Sequence, residues 1–293
     1  MCIRDRGAGD AHTTGDDNTA VGYGALTENT TGNSNTGVGY NALDACTTGA
    51  ANVAVGKDAL GALTTGEKNV AVGRLSGAAI TDAEDNVALG QQSLQATTTG
   101  DRNIAIGTRA LATPTTISDS IAIGYQALTA NTTGTQNTAV GSNSLDANTT
   151  ASHGTAVGTN ALAVNVDGEK NTAVGFNALT ANTGGDDNTA VGYQALTSNT
   201  TGAYNTAVGR DALKLSTTGA RNTAIGRGAL DANTTGDYNS AVGMNALGEN
   251  TTASDNTAIG YQALEANTTG TQNTAVGAYA ADAVTTGLSL IHI

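Results

Sequence analysis

The chain has 293 residues, a net charge of −13, 39 Gly, one Pro and no Trp, and aromatic residues make up 3% of it. So few large side chains argue against a thick globular core. The acidic balance argues against a nucleic-acid partner, because phosphate binding needs clustered Lys and Arg. Disorder is the competing interpretation of a chain rich in Gly, Asn and Thr, but it does not require aliphatic residues at one fixed phase.

The two ends of the chain differ from everything between them. The C-terminal segment 288–293 can be written in codons as CTG TCT CTT ATA CAC ATC. The reverse complement contains ATG TGT ATA AGA GAC AG, which encodes Met-Cys-Ile-Arg-Asp followed by Arg or Ser, as found at residues 1–6. This DNA resembles a transposon end used to tag fragments for sequencing. We therefore predict that 1–6 and 288–293 are adapter-derived, and that 7–287 is a fragment of a longer protein.

Between these ends, the motif Asn-Thr-Ala-Val-Gly or a close variant occurs sixteen times, with its glycines spaced 17 residues apart from Gly22 to Gly277. A fixed period of this length is typical of a solenoid, in which each repeat packs on its neighbours. We number the positions of each coil from this glycine, which is position 0. The period predicts an all-β rod, a parallel β-solenoid of sixteen 17-residue coils.

The residues before each glycine predict a short strand. Position −1 is always a branched aliphatic residue, position −2 is Ala in all coils except at Gly37, and position −3 is Thr, Val, Ile or Ser. Such alternation indicates a strand with two different faces. Small residues at position −2 either fit an internal corner or pack against the same face of a second chain. We expect the second arrangement, because an exposed apolar strip favours self-association.

Two further columns complete the predicted coil. Position +4 is Leu in fourteen coils, with Gly77 and Ala281 as exceptions, and this column is expected to fill the core. Position −4 is Asn in fourteen coils, with Ser120 and Gly154 as exceptions, and the stacked amides are expected to hydrogen-bond along the axis. Between the two columns lies a polar turn, typically Asn-Thr-Thr-Gly, which suits a tight corner.

The strings at 52–56, 103–107 and 120–124, which read NVAVG, NIAIG and SIAIG, resemble the head repeats of trimeric autotransporter adhesins. The longer repeat at 188–202, NTAVGYQALTSNTTG, also resembles repeats of bacterial surface and phage tail-fibre proteins. The resemblance covers about residues 8–287 and implies a left-handed β-roll that assembles as a trimer. The longer period and the added Leu column depart from the adhesin pattern.

The sequence offers no constellation for catalysis, and we predict no enzyme, cofactor or metal site. Outside the tags the chain holds one cysteine, Cys46, and two separated histidines, His12 and His153, which cannot form a zinc site. No glycine-rich loop is followed by the Lys-Ser/Thr that binds phosphate. The paired acids at 16–17, 84–85 and 186–187 lie many coils apart, so we interpret them as solvated surface.

Sequence variation is greatest just before the Asn column and just after the glycine. Aromatic residues at position +1 are the candidate partner-contacting residues, because an exposed ring can stack on a sugar or fill a partner's pocket. The alternative is that each ring merely covers the neighbouring coil. These candidates are Tyr23, Tyr40, Tyr125, Phe176, Tyr193 and Tyr261.

These observations predict a non-catalytic structural and adhesive module of a surface-displayed fibre, either an adhesin head or a tail-fibre shaft. The expected location is extracellular, on a bacterial surface or a virion. The expected partners are further copies of the chain, with a trimer favoured, and a host-surface glycan or protein, without nucleic acid or membrane contact in this fragment. Two alternatives stay open, namely an ice-binding solenoid and a glycan-degrading β-helix.

Overall fold

The computed structural model describes residues 2–4, 7–11 and 13–293, and only the backbone of 2–4. It confirms the predicted fold class, because the described chain is an all-β solenoid of parallel strands with 17-residue coils. The chain divides into two compact units, Met1–Ser152 and His153–Ile293. Each unit holds eight of the sixteen repeat strands.

Nearly every strand is three residues long and ends directly before the motif glycine. The strands of the first unit are β1 (Cys2–Arg4), β2 (Thr19–Val21), β3 (Thr36–Val38), β4 (Val53–Val55), β5 (Val70–Val72), β6 (Val87–Leu89), β7 (Ile104–Ile106), β8 (Ile121–Ile123) and β9 (Thr138–Val140). Those of the second unit are β10 (Thr155–Val157), β11 (Thr172–Val174), β12 (Thr189–Val191), β13 (Thr206–Val208), β14 (Thr223–Ile225), β15 (Ser240–Val242), β16 (Thr257–Ile259), β17 (Thr274–Val276) and β18 (Ile291–His292).

Within each unit, every strand pairs in parallel with the next strand along the chain, and each residue faces the residue 17 positions later. Thus Val53 is opposite Val70 in the first unit, and Ala190 is opposite Ala207 in the second. The pairing places equivalent positions of successive coils above one another, so a column of the sequence becomes a line of side chains in space.

The motif glycines determine how closely successive coils approach. At Gly260 the backbone has φ +141, and a Cβ added there would lie 2.3 Å from the carbonyl oxygen of Gly277. Equivalent approaches of 2.3–2.6 Å recur within each unit, from Gly22 to Gly124 and from Gly158 to Gly243. Only glycine fits, since any side chain would clash with backbone and its φ is disfavoured for L-residues.

The alanine face of the strands points into the coil, so the prediction that it packs on a second chain is wrong. The Ala at position −2 is fully buried in most coils, for example Ala122 and Ala190 at 0% exposure. The Leu column occupies the space beyond it, because a Cβ added at Gly37 would lie 3.3 Å from Cγ of Leu26. Larger residues at position −2 would therefore overpack the core.

The Leu column fills the interior, as the sequence predicts. Leu26, Leu128 and Leu264 are at most 1% exposed, and each such side chain contributes roughly 1.5–3 kcal/mol through burial. The backbone conformation of this column is unexpected, because its residues have positive φ, for example 54° at Leu128. Hydrogen bonds to the next coil hold this conformation, as where the N–H of Leu128 donates to Ser144 at 3.0 Å.

The branched residues at positions −3 and −1 point outward and form a half-exposed face. In β14 and β16 the residues at position −1, Ile225 and Ile259, are 41% and 43% exposed. None of the sixteen residues in either column is charged, although the chain carries 25 acidic and 12 basic residues. We call this face of each unit the branched strip.

The predicted ladder of Asn amides at position −4 is confirmed, and it is buried. The side-chain oxygen of Asn35 accepts hydrogen bonds from the backbone N–H of Asn52 at 3.0 Å and from its Nδ2 at 3.1 Å. Nδ2 of Asn52 also donates to the carbonyl of Gly66 at 2.9 Å. These bonds satisfy the amides without water, as buried polar groups require.

A second buried amide ladder lies in the turn, at position +7. In the second unit, Nδ2 of Asn182 donates to Oδ1 of Asn165 at 2.7 Å and to the carbonyl of Gly185 at 2.9 Å. Nδ2 of Asn199 repeats the pattern on Asn182 at 2.8 Å. The turn column therefore belongs to the core and is more than a polar corner.

The predicted left hand of the coil and the predicted adapter origin of both ends stay predictions. The backbone of Cys2–Arg4 pairs with β2, and Ile291–His292 pairs with β17. Residues 1, 5 and 6 of the N-terminal segment lie outside the described residues. Pairing of the end segments concerns their conformation, whereas the prediction concerns their origin.

Three glycine substitutions separate steric clash from backbone strain. We expect Gly260→Ala to destabilise the chain most, because a strained φ, at about 1–3 kcal/mol, is combined with a clash against backbone. Gly277→Ala keeps a φ of +127, but its Cβ would meet only the Cβ of Ala280 at 3.9 Å, so it carries the strain alone. Gly61→Ala is the control, because its added Cβ has no contact below 3.4 Å and its φ is not positive.

Denaturant unfolding followed by circular dichroism measures all three variants. The order of stability loss is expected to be Gly260→Ala, then Gly277→Ala, with Gly61→Ala neutral or stabilising by up to about 1 kcal/mol. Equal losses at Gly260 and Gly277 would show that the approach of the next coil adds nothing.

Candidate partner-contact surfaces

The six aromatic residues predicted to contact a partner all lie on the surface, directly after the strands. Their side chains are 38–51% exposed. They belong to one column, so residues from successive coils meet wherever the sequence places aromatic residues 17 positions apart. The structure brings together two pairs of the six and leaves Tyr125 and Tyr261 apart from the other four.

In the first unit, Tyr23, Tyr40 and Lys57 form a cluster on three successive coils. The rings of Tyr23 and Tyr40 stack with centroids 5.3 Å apart and an interplanar angle of 14°. Nζ of Lys57 lies 5.3 Å from the centroid of Tyr40 and 3.7 Å from the carboxylate of Asp58. We call these three residues the first aromatic cluster.

The second unit contains a cluster of the same order. The rings of Phe176 and Tyr193 stack at 5.6 Å with an angle of 13°, and the guanidinium of Arg210 lies 5.6 Å from the centroid of Tyr193. Arg210 also pairs with Asp211 at 3.0 Å. We call Phe176, Tyr193 and Arg210 the second aromatic cluster. In both clusters the next coil adds another basic residue at position +1, Arg74 or Arg227.

Stacking limits what these rings can do. The ring of Tyr40 lies between Tyr23 and Lys57, and the ring of Tyr193 lies between Phe176 and Arg210. Both faces of these two rings are therefore covered, and their 48% and 45% exposure leaves mainly the ring edges open to solvent. Within the clusters, a sugar could therefore stack only on the ring of the first member, Tyr23 or Phe176. The cation at the other end of each cluster adds a positive charge nearby.

The other two predicted aromatic residues have different surroundings. Tyr261 meets Tyr279 edge to face, with centroids 5.1 Å apart and an angle of 82°. Tyr279 comes from position +2, so this contact does not follow the column. Tyr125 is 51% exposed, and among the described residues no ring or cation stacks on it.

Sequence reasoning missed a third aromatic group, at position −5 of the second unit. Tyr204, Arg221 and Tyr238 lie on three successive coils, and the guanidinium of Arg221 is 5.3 Å from one ring centroid and 5.4 Å from the other. We call these residues the Tyr–Arg–Tyr sandwich. The spacing of 17 between these residues was the signal in the sequence, but it falls in the variable column before the Asn ladder.

Another arginine of the same column shows a different arrangement. In the first unit, Arg102 donates from Nε to one oxygen of Asp119 at 2.6 Å and from an Nη to the other at 3.1 Å. The side-chain hydrogen bond raises the pKa of Arg102 and lowers the pKa of Asp119. Arg102 is thus occupied by the neighbouring coil.

Two acids at position −6 accept hydrogen bonds from the backbone, and one of them, Asp186, belongs to a pair of adjacent acids. Oδ1 of Asp101 accepts from the N–H of Glu84 at 2.8 Å, and Oδ1 of Asp186 accepts from the N–H of Glu169 at 2.8 Å. Each carboxylate thereby satisfies a donor of the preceding coil. No cluster of three or more His, Cys, Asp or Glu suitable for a metal occurs among the described residues.

Cys46 replaces Asn in the second amide ladder and is fully buried. Burial raises the pKa of its thiol to about 11, and Sγ donates to the carbonyl of Gly49 at 3.6 Å. The thiol is thus protonated near neutral pH, which suits a packing role. His12 lies outside the described residues, and His153 is exposed at a bend just before β10.

An open depression of about 470 Å³ lies beside Tyr23 in the first unit. Gly7, Asp10, Asn41 and Asp44 contribute to its lining. Burial raises the pKa of Asp44, and Glu28 and Asp58 add like charge. The depression is therefore acidic and polar, and it borders the first aromatic cluster.

No protein-family model matches this chain, and no curated protein matches it either. Among the residues that the structure describes, none forms a helix long and apolar enough to cross a membrane.

A half-buried carboxylate, that of Asp231, gives a pH-dependent prediction. Burial raises the pKa of Asp231, and its Oδ1 has no hydrogen-bond partner. An acid with a raised folded pKa stabilises the fold below its unfolded pKa of about 3.9, and this contribution is lost as pH rises through the folded pKa. Asp231→Asn is therefore expected to raise the thermal midpoint at pH 7 and to weaken the gain on acidification.

Asp119→Asn is the matched control of opposite sign. Its pKa is lowered by Arg102, so its contribution is present at neutral pH and is lost as pH falls through the folded pKa. Thermal midpoints between pH 7 and about pH 2 measure both variants, because Asp119 loses its contribution only below its unfolded pKa of about 3.9. A lower midpoint for Asp231→Asn at pH 7 would contradict the assignment of a destabilising buried charge.

Proposed function

We propose that this chain is a structural and adhesive segment of a surface-displayed fibre, on a bacterial cell surface or a virion tail fibre. It acts without catalysis and presents variable surface columns to a partner. The observation that carries the proposal is the pair of aromatic clusters, in which the same order of ring, tyrosine and cation recurs in both units on an otherwise uniform coil.

The uniform interior supports this division of labour. The alanine, leucine and asparagine columns are buried and the motif glycines pack backbone against backbone, so these columns specify the solenoid. Rings and charges vary at positions +1 and −5, where they are exposed and do not disturb packing. A host-surface glycan fits such a surface, because it offers ring faces for the open members of the clusters and hydroxyls for the tyrosine edges.

Self-association is the second part of the proposal, and the branched strip is its face. From β4 to β8 both outward positions of every strand are aliphatic, which makes this the most apolar part of the strip. A long uncharged aliphatic surface is unusual on an acidic protein and is typical of an interface. We propose that copies of the chain pack there as a trimer, in keeping with the resemblance to adhesin heads.

Ice binding stays the second candidate function because of the threonines on the outward face. In the second unit, position −3 is Thr in seven of eight strands, with Ser240 as the exception. These hydroxyls form a regular column on a parallel sheet. The first turn threonines are engaged, as where Oγ1 of Thr200 donates to the carbonyl of Thr217 at 3.0 Å. Thermal hysteresis of the purified chain separates this candidate from adhesion.

Replacing the aromatic clusters tests adhesion. We expect the Tyr23→Ala/Tyr40→Ala variant and the Phe176→Ala/Tyr193→Ala variant each to reduce retention of the purified chain on glycan-bearing cells. The four substitutions together should abolish it, because two linked sites gain roughly 10²-fold or more in avidity. Val164→Ala is the control, since Val164 is 44% exposed and belongs to neither cluster. Full retention of the four-fold variant would remove the clusters as the adhesive surface.

Introducing charge into the branched strip tests the trimer. Sedimentation of the parent chain at micromolar concentration is expected to give about three times the 28.8 kDa chain mass. Val72→Lys/Ile123→Lys should give the mass of one chain, because burying unpaired ammonium groups is costly. Gln136→Lys is the control, since Lys68 occupies the same column naturally. A monomeric parent chain, or an unchanged trimer after the double substitution, would contradict the assignment.

A further inference from the structure

The Tyr–Arg–Tyr sandwich differs from the two aromatic clusters, because here the cation is enclosed between the rings. Parallel register produces this arrangement. The N–H of Arg221 donates to the carbonyl of Ala203 at 3.0 Å, and the N–H of Tyr238 donates to Ala220 at 3.1 Å. All three residues have φ between 56° and 60°, so their side chains leave the backbone in the same direction.

The guanidinium of Arg221 has both faces covered and its edges free. Each face lies against a tyrosine ring, at 5.3 and 5.4 Å from the centroids. Among the described residues, no carboxylate lies within ion-pair distance of Arg221, in contrast to Arg102 in the same column. Stacking fixes the plane, and the N–H donors in that plane point away from the rings.

A planar fork of free donors matches a carboxylate, which accepts two parallel hydrogen bonds from it. Because the two rings already hold the guanidinium, little side-chain entropy is lost when an anion binds. The hydroxyls of Tyr204 and Tyr238 lie on either side, and each can donate to or accept from a neighbouring hydroxyl. These two rings are 55% and 53% exposed, so the group is open to a ligand.

Charges beyond the sandwich restrict the ligand. The same column continues with Asp187 before Tyr204 and Asp255 after Tyr238. At a strand spacing of about 4.8 Å, each lies about 10 Å from Arg221, close to the screening length of about 8 Å at physiological salt. A polyanion running along the column would meet these carboxylates, whereas the hydroxyls of a neutral sugar would donate to them.

We propose that the Tyr–Arg–Tyr sandwich is a binding site for a single carboxylate carried by an otherwise neutral glycan. The Arg221 fork holds the carboxylate, and Asp187 and Asp255 accept from hydroxyls of the flanking sugars. This inference deepens the proposed function, on which it rests, by naming the chemical class of a ligand and a site separate from the two aromatic clusters.

Calorimetric titration of the full chain tests the site with three probes. They are 3′-sialyllactose, which carries one carboxylate, its methyl ester, which keeps the sugar without the charge, and polygalacturonate. We expect saturable binding of sialyllactose, at least tenfold weaker binding of the ester, and no preference for the polyanion. Tenfold corresponds to about 1.4 kcal/mol, within the range expected of one charge-assisted pair.

Arg221→Lys keeps the charge but removes the fork, and it should weaken sialyllactose binding about tenfold or more. Tyr204→Ala/Tyr238→Ala should weaken it as well, because the guanidinium then loses its support. Arg102→Lys is the matched control and should bind like the parent chain. Circular dichroism verifies that each variant is folded, and Arg221→Gln provides a second variant at the same exposed position.

Several results would overturn the site. One is that Arg221→Lys and Arg221→Gln bind sialyllactose as tightly as the parent chain does. Others are equal affinity for the acid and its ester, or a preference for polygalacturonate. The last is no saturable binding up to about 10 mM, where the binding free energy would fall below about 3 kcal/mol. Binding of an acidic peptide but of no sugar would reject the glycan class. Since the titration uses soluble sugars, it stands apart from cell retention, whose loss after the cluster substitutions tests the proposed function alone.

Discussion

The close approach of one motif glycine to the carbonyl of the next is the constraint on which the solenoid depends. A Cβ at Gly124 would lie 2.5 Å from the carbonyl oxygen of Gly141, so the two backbones pass with no room for a side chain. Within each unit this contact recurs from one motif glycine to the next and limits the distance between coils. With the distance set, strand hydrogen bonds, amide ladders and leucine packing all repeat in the same geometry.

Register converts the sequence into lines of side chains, and the properties of each line follow from its position. Inward lines hold mostly one residue type, such as Ala at position −2 and Leu at position +4, and none of these residues is charged. Outward lines tolerate rings, acids and bases, and neighbouring coils then decide whether a residue is engaged or free. Arg102 of the first unit and Arg221 of the second both occupy position −5 of their coils. Asp119 engages Arg102, whereas two rings leave the edges of Arg221 free.

Much of the coil could be read from the sequence, because period and composition specify it directly. The parallel strands, the Leu core and the amide ladder before each strand follow from columns of unchanging residues. The orientation of the strand could not be predicted, since alternation separates two faces without saying which one is inside. Leu at position +4 decides this, because it fills the interior and leaves space only for Ala beside it, as the neighbours of Gly37 show.

The candidate surfaces were predicted only in part, for a similar reason. The exposed column after the glycine was evident from its aromatic residues, but stacking depends on side-chain directions that spacing alone does not give. The sandwich at Arg221 was missed because its column before the Asn ladder is variable. The buried role of the turn asparagines was missed because Asn-Thr-Thr-Gly reads as an exposed polar turn. Positive φ at Leu128 is another case, since the propensities of leucine do not predict it and the hydrogen bond to Ser144 maintains it.

The repetition of one backbone contact also bears on how such a gene changes. Because Gly-to-Gly contacts are alike, unequal recombination that adds or removes 17 codons joins two coils through a junction indistinguishable from any other. Insertion or deletion of a single codon, by contrast, shifts every following column and places side chains where only glycine fits. The number of coils can therefore change while the fold persists. Each such event between Tyr40 and Tyr193 changes the number of residues that separate the two aromatic clusters.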